Sequence, residues 1–256
     1  MAMLTRLHFV LQVTRALTVR SPPSGLGLDA GTARSPETGS VYIPSSTLRG
    51  VWRTASCYAA HEMGLTCCGS KHPDRVKKAH SVLAEAGAIL VEVSNEKLCH
   101  VCSVFGTANI EGVVFFTDAE PLGSIVSTGV RPGIEIDDYT GTVSRGKFYL
   151  VETVEPGSLF RFHIDVAVEP PRLSLCQIVE LLARAALYVE AVGVGSGAAR
   201  PYLWRVERPG EPGWKADKPA EAAKQLGCTG LEQLFSRMWL PAKLTMPSSL
   251  QGSETP

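Results

Sequence analysis

Residues 3 to 20 alternate apolar and polar side chains over much of their length, with Leu7, Phe9, Leu11 and Val13 set against His8, Val10 and Gln12. A period of two predicts a strand with one buried face. The next stretch, SPPSGLGLDAGTARSPETG at 21–39, is rich in Gly, Pro and Ser and breaks the pattern, so it predicts a long surface loop. After VYIPSS the period changes. Leu48, Trp52, Ala55 and Ala59 recur every three or four residues, which predicts a helix capped by Ser45, Ser46 or Thr47, with Arg49 and Arg53 together on another side.

Residues 64 to 103 form a mixed Cys-, His- and Lys-rich insertion with a short helix expected over 73–86. VVFFTDAEP at 113–121 reads as a strand ending in an acidic turn. Residues 130–168 read as a loop and two or three strands, with a tight turn at Glu155-Pro156-Gly157-Ser158. LSLCQIVELLARAALYVEAV at 173–192 is the clearest helix in the chain. It runs into VGVGSGAARPYL, whose glycines end it before a further strand around Tyr202 to Val206. This order is compatible with an α+β core of ferredoxin-like type with enlarged loops.

Composition adds little at first. The 256 residues are 45% hydrophobic and 20% charged, with 24 Gly and 17 Pro, which describes a loop-rich globular chain. Charge balances overall, so the whole chain gives no argument for nucleic acid. Its distribution does: residues 1–58 hold six arginines, no lysine and only two acids, Asp29 and Glu37. Arginine forks suit phosphate. The N-terminus lacks a secretory apolar run and no uncharged stretch reaches transmembrane length, so a cytoplasmic protein without membrane contact is expected. In that compartment the seven cysteines are expected as metal ligands or reduced core residues rather than disulfides.

Cys67 and Cys68, His72, and the C-x-x-C pair Cys99 and Cys102 bracket the insertion. Thiolate plus imidazole suits zinc, and Cys68, His72, Cys99 and Cys102 are the preferred four ligands. Cys67 is an alternate for Cys68, and His100 or His61 for His72. A closed four-ligand site would staple the insertion and leave no open position for catalysis. The alternative is a set of small buried hydrophobes.

Three separated segments carry a family resemblance. YIPSSTLRGVWRTA at 42–55 is similar to the Pro-Ser-Ser, Leu-Lys/Arg-Gly helix start of the repeat-associated (RAMP) superfamily of CRISPR systems. LCHVCSVFG at 98–106 resembles its cysteine segment before a Phe-Gly, and residues 134–166 resemble its central segment. With the Gly-rich loop they span about 40–205 in the family's order, and the multicopy backbone subunit of type III effector complexes matches best.

The resemblance implies a single domain over 1–245: a ferredoxin-like (RRM-like) palm from 1–60, 104–122 and 156–245, a zinc-containing insertion at 61–103, and a β-hairpin thumb at 123–155. A flexible tail follows at 246–256. It implies a guide crRNA, a complementary target RNA, further copies or paralogues stacked in a filament, and other type III subunits as partners.

Asp29 lies about fifteen residues before Pro44, where target-cleaving relatives carry their required acid. The resemblance therefore makes it the candidate for Mg- or Mn-dependent cleavage, whereas read from the residues alone it is a turn-forming loop Asp. Arg20, Ser45, Ser46, Arg49 and Arg53 are candidate phosphate contacts, with Arg131, Tyr139, Arg145, Lys147 and Arg200 as further RNA contacts. Asp137 and Asp138 point to opposite faces if extended, which disfavours a paired-acid site. Two departures matter: no Gly precedes the paired serines, and the Gly-rich loop carries only Arg200, at its end. The alternatives are an inactive structural subunit and a repeat-RNA processing endoribonuclease built on Tyr58 and His61.

Overall fold

A computed structural model describes residues 4–21, 31–70, 73–123, 126–136, 142–168, 172–211, 213–228, 230–242 and 244. In chain order these form β1 (Leu4–Arg15), β2 (Arg20–Ser21), β3 (Gly31–Thr32), α1 (Ser45–Glu62), α2 (Pro73–Glu85), β4 (Val91–Val93), β5 (Glu96–Leu98), α3 (His100–Phe105), β6 (Val114–Phe116), β7 (Glu120–Pro121), β8 (Thr128–Ile136) and β9 (Val143–Val154). They continue with β10 (Leu159–Ala167), α4 (Leu175–Val192), β11 (Ala198–Glu207), β12 (Lys215–Ala216), α5 (Pro219–Leu226) and α6 (Leu231–Met238).

The main sheet is antiparallel, in the order β12-β11-β1-β10-β6, with β7 beside β10. The alternation read in β1 is the one that folds. Leu7, Phe9, Leu11 and Val13 are buried against the helices, and Arg6, His8 and Gln12 are on the other face. Trp52 of α1 packs on the face of β1 and β10, its ring 5.8 Å from Phe9 and 5.3 Å from Phe162. Small residues let α1 and α4 pack closely: Ala55, Ala59 and Ala60 on one, Ala183, Ala185 and Ala186 on the other, all buried. Ser174 and Gln177 form a reciprocal capping box that starts α4.

β8 and β9 pair with each other as a long antiparallel arm outside the main sheet. Its base is tied to the body by reciprocal backbone bonds between Val154 and Leu17 and by a buried residue, Glu152. The Glu152 carbonyl accepts from Thr18 Oγ1 at 2.7 Å and Thr32 Oγ1 at 3.1 Å. Its carboxylate accepts from the Thr32 N–H at 3.1 Å and forms an ion pair with Arg34.

Several sequence expectations change. The N-cap of α1 is Pro44, whose own side chain makes no capping bond; Ser45 is the first helical residue. The strand read at 113–121 is β6, and the acidic turn that ends it holds a second short strand, β7. Four cysteines expected to be ligands or reduced are paired instead, as Cys57–Cys67 and Cys176–Cys228, with Cα atoms 5.3 and 5.4 Å apart. Spacing did not point to either pair, because α1 doubles back into its following loop and α5 folds onto the start of α4. Among the described residues no helix is long and apolar enough to cross a membrane.

Candidate functional site

Two clusters of sequence-singled residues assemble, one on each side of α3. The first is a Cys/His group. Ligand atoms of Cys68, His80, Cys99 and Cys102 all lie within 4.8 Å of one another. Cys99 caps α3 by accepting from the Cys102 N–H at 3.4 Å, which turns both thiols the same way, and Cys68 Sγ is 3.5 Å from Cys102 Sγ.

Hydrogen bonds from Cys102 and Cys99 pull the Cys68 thiol down to about 2. The shared hydrogen bonds, with burial added, push Cys102 well up. At Cys99 a bond from Cys102 acts downward, but the bond to Cys68, burial and the Cys68 charge outweigh it, and the net direction is up.

His80 is the fourth member. It is buried, and its Nε2 has no hydrogen-bond partner among the described residues, an expensive state for a polar atom unless an ion takes it up. Three sulfurs and this nitrogen suit a tetrahedral metal site. His80 replaces the expected His72, which lies outside the described residues. The signal for it was its place on the buried side of α2, one turn after Val76. The alternates fall away. Cys67 is in a disulfide, His100 Nδ1 accepts from the Thr66 N–H at 3.0 Å, and His61 is exposed and outside the group.

The second cluster lies at the start of α1. Ser45, Ser46, Arg49 and Arg53 line one groove of ≈ 530 Å³ with Phe105 and Phe115. The two arginines are not free. Arg49 donates to the Phe105 carbonyl, and Arg53 donates to the Gly106 carbonyl at 2.8 Å and to Cys102 Sγ at 3.0 Å. Gly106 ends α3 with φ +80, and a Cβ there would stand 2.6 Å from backbone atoms of Ile110 and Gly112, which explains the Phe-Gly in the sequence.

The free N–H groups expected at this helix start are partly used as well. The Ser45 N–H donates to Asp118 Oδ1 at 2.6 Å, so a carboxylate already occupies part of the place expected for phosphate. The reciprocal backbone bonds between Ile43 and Ala119 set Asp118 there. Asp118 and the exposed ring of Phe115 were not singled out from sequence, because both owe their position to tertiary pairing at the edge of the sheet.

The remaining candidates lie apart or outside what is described. Asp29, Asp137, Asp138 and Tyr139 are outside the described residues, as are the side chains of Arg20, Arg145 and Lys147. The β2–β3 ladder pairs Ser21 with Gly31 and so flanks the segment that carries Asp29. Arg131 pairs with Glu155 at 2.9 Å and Arg200 with Glu190 at 2.6 Å. The Gly-rich loop presses on the chain after β1. A Cβ on Gly195 would lie 2.2 Å from the Thr18 carbonyl oxygen, and one on Gly197 2.2 Å from that of Ala16. These glycines are therefore needed for close packing of the loop on the chain after β1.

Compared with known proteins, the chain matches the model of the RAMP superfamily over residues 24–200. No curated protein matches it. Among solved structures it is similar to a chain in the cryo-EM structure of a type III-B Cmr-beta complex bound to cognate target RNA. The identity is 20% and the TM-score 0.49, over 80% of this chain and 61% of that one. The chain thus spans 61% of the length of that solved relative.

Proposed function

The chain belongs to the RAMP superfamily, and from that premise we propose that it is a guide-RNA-binding backbone subunit of a type III CRISPR effector complex that cuts complementary target RNA. The observation that carries this reading is the convergence of Ser45, Ser46, Arg49 and Arg53 on one groove inside the family-matched region. Hydroxyls and guanidinium groups together grip a nucleic-acid backbone without reading bases, and sequence would be read by guide–target pairing.

The order strand, helix, two strands, helix, strand, with β6-β10-β1-β11 adjacent, supports a ferredoxin-like palm. The β8–β9 arm is the thumb, within 123–155, and the segment between α1 and α3 is the insertion. Cys68, His80, Cys99 and Cys102 would hold a structural zinc ion that staples this insertion to α3. Guide crRNA, target RNA, further copies of the chain and other type III subunits are the partners.

Asp29 is the proposed cleavage acid, on the strength of its place fifteen residues before Pro44. A bound Mg or Mn ion would stabilise charge on the reacting phosphate. The carboxylate would help orient the ribose 2′-OH for attack on the adjacent phosphate. The test is cleavage of guide-complementary RNA by the assembled complex with magnesium or manganese. Regularly spaced cuts are expected, and Asp29→Ala should abolish them while RNA retention persists. An intact target with the native chain would leave a purely structural subunit. Unchanged cuts in the variant would assign the chemistry elsewhere.

A further inference from the structure

The loop that leaves α1 runs past the Cys/His cluster and delivers Cys68 to it. Two fixed points precede Cys68. Thr66 is held through its N–H to His100 Nδ1 at 3.0 Å and through its hydroxyl to the Ile89 carbonyl at 3.1 Å. Cys67, the residue immediately before Cys68, is bonded to Cys57 of α1. One helical turn before Cys57, Arg53 donates to Cys102 Sγ. Helix α1 therefore braces the cluster twice, by a hydrogen bond to Cys102 and by a covalent bond next to Cys68. Cys57, Cys67, Cys68 and Cys102 all line one open cavity of ≈ 600 Å³, and Cys57 and Cys67 are only half-buried, so small molecules can reach the disulfide.

We infer that the Cys57–Cys67 disulfide is a reducible clamp that positions Cys68 as a metal ligand, so that metal affinity follows the redox state of the surroundings. The inference rests on the reading of Cys68, His80, Cys99 and Cys102 as a metal site. Cys99 and Cys102 are placed by α3 and His80 by α2, whereas Cys68 sits in a loop. A ligand on a loop gains most from being held, because ordering its backbone is otherwise charged to metal binding. Reduction by a dithiol removes the hold. One of its thiolates attacks a sulfur of the disulfide, forming a mixed disulfide and releasing one cysteine thiolate. Its second thiolate then attacks the reductant's own sulfur in that mixed disulfide and expels the other cysteine thiolate, so the reductant leaves as a cyclic disulfide. Two electrons and two protons pass from the dithiol to Cys57 and Cys67, which end as thiols.

The test uses the full chain and cobalt(II) as the probe, with zinc as competitor, comparing oxidised protein with protein reduced anaerobically by a non-ligating phosphine. A sulfur-to-cobalt absorption band is expected in both forms, with affinity lower by roughly 10- to 100-fold after reduction, the range seen when groups that orient metal ligands are lost. The double variant Cys57→Ser, Cys67→Ser should bind like the reduced native chain and ignore the reductant. Because the native chain is itself compared in both states, a misfolded variant does not decide the matter. Equal affinity in both states with the band present would overturn the clamp and leave the metal site standing. Tighter binding after reduction would also overturn it, because Cys67 would then be acting as a ligand. Absence of the band in both states would remove the metal site and the clamp together.

Discussion

Asp118 shows how one residue can change the meaning of a motif. Its carboxylate caps the start of α1 from a neighbouring segment, through the Ser45 N–H, where the sequence alone suggests an open anion site. Loss of a capping carboxylate typically costs about 1 kcal/mol. Asp118→Ala is therefore expected to lower unfolding free energy by about that amount in a denaturant titration. The same substitution removes a negative charge that competes with phosphate, so retention of guide RNA by the assembled complex should hold or rise. A clear fall in RNA retention at unchanged stability would mean that Asp118 itself orients the RNA. The Cys/His group gives a related lesson. Spacing brings Cys68, Cys99 and Cys102 into one candidate set and nearness in sequence points to His72, whereas the histidine that joins the three thiols, His80, arrives from one side of a helix. Chain distance is a poor guide to a ligand once a helix intervenes.

Elements were legible where the pattern was long. α4 is announced by its long apolar pattern and its terminal glycine, and β1 by its alternation. The short pieces were not. β4, β5 and α3 are three to six residues each and exist because the insertion folds around the Cys/His group and its neighbours. Their dependence on that group can be measured. If the group holds the proposed zinc ion, chelation should speed amide exchange in α2, β4 and β5 while β1, β10 and β11 stay protected. Uniform protection after chelation would mean that apolar packing suffices there. The Gly-rich loop offers a second check. Gly195 has φ +58, and a Cβ there would stand 2.2 Å from a backbone oxygen, so Gly195→Ala must displace the chain after β1. A loss of about 1–3 kcal/mol is expected from such overpacking, read as a lower unfolding midpoint. No change would show that the segment yields freely.

Across the whole molecule, stability should depend on acid in a predictable direction. On the sheet face away from the helices, His163 faces Arg6, Asp165, His8 and Glu207. Burial first, and then the Arg6 charge, lowers its pKa to about 4 from an ordinary 6.5. The unfolded chain takes up a proton below about pH 6.5 that the folded chain refuses until about pH 4, so stability falls across that window. Glu207 acts in the same sense, because its hydrogen bond from His8 holds it below the usual carboxylate value, and that support is lost as the acid is protonated. His163→Gln should flatten the decline in melting temperature between pH 6.5 and pH 4. A decline of the same steepness would assign it to the carboxylates. None of this was visible in the sequence, because β1, β10 and β11 bring these groups together from opposite ends of the chain.

The attachment of the β8–β9 arm also has a mechanical side. The ten extended residues of β9 from Val143 to Glu152 make a lever about 30 Å long, and at its root Glu152 is gripped by Thr18, Thr32 and Arg34. A push far out on such a lever becomes a torque at its fulcrum. Those grips lie on the strand ends that flank the segment carrying Asp29, so work done on the arm is delivered within a few residues of the proposed cutting acid.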